Sequence, residues 1–142
     1  MTFEFERRSL PIVLRGRFRP WSIDVGHSKF LLRGFLRNRE SEDLPRTFDV
    51  LFQDVSRIQV ADHYDGLRVT IAEPDAMNAE ARRVGGEWRD AHMFHLNSEN
   101  DCDYIVAGFV FWAEVSVHAS APSPLIDETQ ASDSVIGKVF RL

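Results

Sequence analysis

Apolar and polar residues alternate with a two-residue period along most of the chain, the spacing that sends successive side chains to opposite faces of a strand. Trp21, Ile23 and Val25 alternate with Ser22 and Asp24, Gly26-His27-Ser28 supplies a turn, and the run 29–37 resumes the pattern with Phe30, Leu32 and Leu36 on one face. This predicts a hairpin. After the polar break 38–45, a strand directs Phe48, Val50 and Phe52 inward, and Gln53-Asp54 makes a tight connection into 55–60. The Asp65-Gly66 dipeptide tolerates positive φ, so a second hairpin is expected between Ile58/Val60 and the alternating Leu67, Val69 and Ile71.

The period changes over 74–84. Pro74 suits a first helical turn, Asp75 sits near the positive end, Arg82 and Arg83 near the negative end, and Gly85-Gly86 can terminate the helix. Met77, Ala81 and Val84 form its expected inner stripe. The longest strand is expected over 104–118, where Ile105, Ala107, Phe109, Phe111, Ala113, Val115 and Val117 share one apolar face. Its other face is apolar as far as Trp112, so both sides of this half are covered and the strand is central. It pairs with 92–96 across a polar turn, and Gly108 allows a bend or bulge. Residues 119–134 read as a loop and 135–142 as a closing strand. The fold class is therefore mainly β: an antiparallel β-sandwich or strongly curved sheet with one short helix at about 74–84, in a single domain spanning 1–142.

Composition narrows the classes of function. A chain of 142 residues with 44% hydrophobic and 27% charged residues can bury a core of its own. The lone Cys102 closes no intramolecular disulfide, and acidic residues stand where a secretory leader needs an apolar block, so the expected location is the cytoplasm. The apolar run 104–117 contains Glu114 and falls short of the roughly 20 residues of a membrane helix, so no membrane partner is expected. Net charge is −5, but residues 1–46 carry 10 basic against 6 acidic side chains and the remainder 7 against 16. Opposite signs on neighbouring strands would pair within one fold.

Candidate chemistry is sparse. Gly26-His27-Ser28-Lys29-Phe30 resembles a nucleophile elbow, but Phe30 replaces the last glycine and a strand follows where a helix is needed. His92 and His95 are weak metal candidates, because a separation of three on a strand points the rings to opposite faces. No metal and no cofactor is expected, and enzymatic activity is disfavoured. Arg15, Arg17 and Arg19 alternate onto one face, as do Arg33 and Arg37, with Phe18, Trp21 and Phe35 among them. A guanidinium-lined recess for an acidic partner fits this better than a nucleic-acid groove, given the acidic whole. His63 and Tyr64 at the expected tip 62–66, with Trp88 after the double glycine, are residue types that interfaces favour; the competing reading is a decorated turn with Trp88 tucked over a sheet edge.

The strings Phe48-Asp-Val-Leu-Phe-Gln-Asp-Val55, Tyr64-Asp-Gly-Leu-Arg-Val69 and Tyr104-Ile-Val-Ala-Gly-Phe109 occur in an order that resembles small bacterial β-rich families, some uncharacterised and some of the immunity type that sequester a toxin. The resemblance covers roughly residues 20–118 as a strand pattern and transfers no functional residue. It implies a bacterial, non-enzymatic, immunity-like domain that binds a protein partner or a second copy of itself; the contact candidates Arg33, Arg37, His63, Tyr64 and Trp88 come from their residue types and placement alone. The alternative is a small-ligand binder or enzyme with a pocket beside the 104–118 strand, using His27, His92 or His95.

Overall fold

A computed structural model of the chain describes residues 4–36, 46–97, 103–118, 120–126 and 134–142. Arg37, Cys102, the His27 side chain and the acidic stretch 40–43 lie outside the described residues. The strands are β1 (Phe5–Arg7), β2 (Ile12–Asp24), β3 (Lys29–Phe35), β4 (Arg46–Gln53), β5 (Arg57–Gln59), β6 (Tyr64–Ile71), β7 (His92–Leu96), β8 (Tyr104–Ala107), β9 (Phe109–Ser116) and β10 (Val135–Arg141). The helix α1 (Pro74–Val84) lies between β6 and β7. All ten strands form one sheet in the order β1-β10-β9-β4-β3-β2-β6-β7-β8-β5. Neighbours are antiparallel except β1 and β10, which run parallel. Of the two expected architectures, the single curved sheet is the one formed.

Two relationships describe the curvature. Phe52 on β4 and Phe94 on β7 are separated by three strands in the sheet order, yet their rings lie 5.6 Å apart. The expected long strand is also parted at Gly108: β8 is held by β7 and β5, whereas β9 is held by β4 and β10. The chain thus passes directly from one flank of the sheet to the other, and the sheet rolls round a core that includes Phe18, Phe30, Phe52, Phe94, Ile105 and Trp112. Phe18 and Gly34 are cross-strand partners, and a Cβ on Gly34 would come within 2.3 Å of the Phe18 ring.

Among the described residues, the outer face is covered in two places. The segment around Ala121 and Leu125 packs on Ala113, Val115 and Val139 of β9 and β10. Met77 of α1 and Trp88 pack on Met93, Tyr104 and Val106 of β7 and β8. The helix keeps the expected boundaries, with Pro74 in its first turn and Gly85 at φ 72 after its last. Gly85 and Gly86 donate backbone N–H groups to the carbonyls of Arg82 and Ala81, satisfying groups that a helix end leaves open.

Two local expectations are corrected. Asp65-Gly66 is no hairpin turn: both residues lie within β6, where Gly66 at φ 80 sits opposite a register shift in β2, and β5 pairs with β8 instead of β6. Of the dipeptide, Gly66 alone takes positive φ, and there it serves a bulge. Gln53-Asp54 bends the chain without reversing it, since β4 and β5 pair in the same sense with β9 and β8. Among the described residues, no helix is long and apolar enough to cross a membrane.

Candidate functional site

Among the described residues, those expected to make contact do not share a surface. Arg33 is fully buried: its Nε donates to Asp49 Oδ1 at 2.7 Å, Nη2 to Asp49 Oδ2 at 2.9 Å and Nη1 to the Ala121 carbonyl at 2.6 Å. The expectation of an exposed Arg33/Arg37 face is corrected for Arg33, because the segment carrying Ala121 crosses over the sheet there; Arg37 lies outside the described residues. Tyr64 is likewise in the core, where its hydroxyl accepts the Ala61 N–H at 2.9 Å and donates to Asp103 Oδ2 at 2.8 Å. Burial, reinforced by the Asp103 carboxylate, holds this hydroxyl above the ordinary phenol range.

His63 is exposed and its Nδ1 lies 2.7 Å from Asp62 Oδ1. That hydrogen bond, with the nearby positive charge of Arg19 as a lesser cause, holds the Asp62 carboxyl below its usual range. Trp88 is half-buried against Tyr104, with ring centroids 6.3 Å apart, and covers the flank of the sheet beside α1. On β7, His92 sits by Phe94 at 5.9 Å, while His95 is the cross-strand partner of Tyr104. Among the described residues no group of three His, Cys, Asp or Glu side chains could hold a metal ion. At Gly26-His27-Ser28 the chain makes a short 3-10 turn into β3 with Ser28 at φ 51, so the helix that a nucleophile elbow needs is absent there.

The exposed chemistry gathers instead on β2. Val13, Arg15, Arg17, Arg19 and Trp21 are exposed at alternate positions of this strand, and Arg68 of β6 is the exposed partner of Val13. Arg15 and Arg17 flank a recess of about 460 Å³ that is also lined by Phe35, Leu36, Asp65 and Gly66. Gly16 lies between the two arginines at φ 118, and a Cβ there would stand 2.9 Å from the Phe35 carbonyl oxygen, so the strand can pass this close only as glycine. Trp21 rests edge-on against Phe35 at 5.2 Å and remains 38% exposed. Arg17 is the cross-strand partner of Asp65, and Arg19 acts on Asp62, so four guanidinium groups face two carboxylates.

Such a surface can accept carboxylates by bidentate hydrogen bonds and seat an apolar group on Trp21. The alternation of Arg15, Arg17 and Arg19 is the sequence signal for it. Arg68 and the floor of the recess carry no such signal, because they come from other strands. Comparison of the chain with protein-family models, curated proteins and solved structures finds no match.

Proposed function

We propose that this chain is a non-enzymatic protein-binding domain that takes an acidic protein surface against the outer face of β2. The observation that carries this reading is the recess between Arg15 and Arg17, with the partly exposed Trp21 anchored on Phe35 beside it. Arginine and tryptophan are the side chains that most often dominate interface energetics. In the bacterial, cytoplasmic, immunity-like form of the proposal the partner is a toxin held through its acidic surface, a form supported by the resemblance in strand pattern. The charge asymmetry favours the same occupant, since the basic face belongs to an acidic protein and discriminates by sign.

The test is fluorescence anisotropy with a labelled Glu- and Asp-rich peptide containing one Leu, and with a single-stranded oligonucleotide of equal charge. The wild-type chain should bind the peptide in preference, with affinity falling as salt rises. Arg15→Glu/Arg17→Glu/Arg19→Glu should weaken that binding by at least about tenfold. Equal binding by the variant overturns the proposal, and a preference for the oligonucleotide replaces it with nucleic-acid recognition.

A further inference from the structure

A second cationic surface lies on the other side of the sheet order, at the bend where β8 becomes β9. Arg7 of β1 and Arg141 of β10 are direct partners in the parallel pair, and Arg141 is in turn the partner of Phe111 on β9. Side chains in such a cross-strand row stand on one face, only a strand spacing apart. Two like charges placed directly opposite destabilise a sheet. Neither guanidinium has an ion-pair partner among the described residues, whereas Arg46, one strand further along, meets Glu114 at 2.8 Å.

The row opens into a cleft of about 250 Å³ lined by Arg7, His92, Phe109, Phe111 and Arg141, with Gly108, Val110 and Leu142. His92 reaches it from the start of β7, because the bend at Gly108 brings that strand's end beside the β1–β10 flank. Phe109 is 54% exposed and stacks on Phe111 with centroids 6.4 Å apart and planes at 22°. The cleft therefore joins three nitrogen-bearing donors to an open aromatic flank.

We propose that this cleft is a binding site for a small oxyanion carried on an aromatic ring, such as an aryl phosphate. The anion sits between Arg7 and Arg141, relieves their mutual repulsion and takes a further hydrogen bond from His92; the ring lies against Phe109. The planar, multi-donor guanidinium groups suit the several oxygens of a phosphate, and the volume admits a single ring with its anionic group. The site shares no residue with the β2 face, so it stands or falls separately from the protein-binding proposal.

The experiment titrates the full chain with phenyl phosphate, inorganic phosphate and, at matched ionic strength, sodium chloride, following Tm and isothermal heats. Phenyl phosphate should raise Tm, with a shift that goes on growing with the logarithm of its concentration above Kd, and should bind several-fold tighter than inorganic phosphate. Arg7→Gln, on a short exposed edge strand, and Arg141→Gln should each weaken binding by at least about tenfold. Without ligand neither should lower Tm, since each removes a repulsion. The charge-reversed β2 variant should bind phenyl phosphate as the wild type does. The site is overturned if chloride reproduces the shift or if either glutamine variant binds with unchanged affinity. Equal affinity for phenyl and inorganic phosphate overturns the aromatic part of the proposal.

Discussion

Arg33 and Asp49 are direct cross-strand partners on β3 and β4, both fully buried and joined by two parallel hydrogen bonds of 2.7 and 2.9 Å. The third bond, from Nη1 to the Ala121 carbonyl, ties the covering segment to the sheet. Removing one member leaves an unanswered charge in the interior, so Arg33→Met or Asp49→Ala should each cost about 3–5 kcal/mol in urea unfolding. Arg33→Met/Asp49→Leu should recover most of that loss, because the desolvation penalty disappears with both charges. A double variant no more stable than either single one would show that the pair acts through some other contact.

The close approach of Phe18 to Gly34 makes a sharper prediction. A methyl group at 34 would meet the Phe18 ring at 2.3–2.5 Å in a core where both are enclosed, so Gly34→Ala should destabilise by about 3 kcal/mol. Adding Phe18→Leu should restore part of it by opening space. At Gly108 the nearest atom to an added Cβ is Asp54 Cβ at 3.2 Å, so Gly108→Ala should cost less than Gly34→Ala. Thermal unfolding of the three variants orders them, and a Gly108→Ala variant weaker than Gly34→Ala contradicts this account.

Alkaline stability should depend on Tyr64. Its hydroxyl ionises near 10.0 in the unfolded chain but is held above that value in the fold by burial and by Asp103. Above pH 10 the native state therefore binds the proton that the unfolded state has lost, so stability is complete below that pH and declines as pH rises. Tyr64→Phe should flatten this decline. Denaturant midpoints compared at pH 9 and 11 measure it, and parallel losses in wild type and variant would refute the assignment.

What the sequence disclosed follows the range of the interactions involved. The limits of α1 were legible because Pro74 and Asp75 at one end, and Arg82, Arg83 and Gly85 at the other, each act within a turn of the helix terminus they mark. Alternation in β3 and β4 was legible for a like reason, since a strand's two-residue period is local. The fate of Arg33 was not, since its partners lie 16 and 88 residues away and an arginine on a strand carries no mark of its cover. Asp65-Gly66 shows the limit of turn chemistry: positive φ belongs to the glycine, but whether the chain reverses there depends on which strands bracket it. The basic alternation on β2 was visible, whereas the Arg7–Arg141 row arises from a parallel pairing between opposite ends of the described chain, which no local pattern records.

The passage from β8 to β9 at Gly108 also bears on how the protein comes together. One stretch of backbone acts as a clasp between two flanks whose own strands lie far apart in the chain, so neither flank is complete before that stretch arrives. A topology so dominated by distant pairings places folding toward the slow end, roughly milliseconds to seconds. It also makes unzipping from one side costly, because loosening the clasp at its centre unfastens both halves at once.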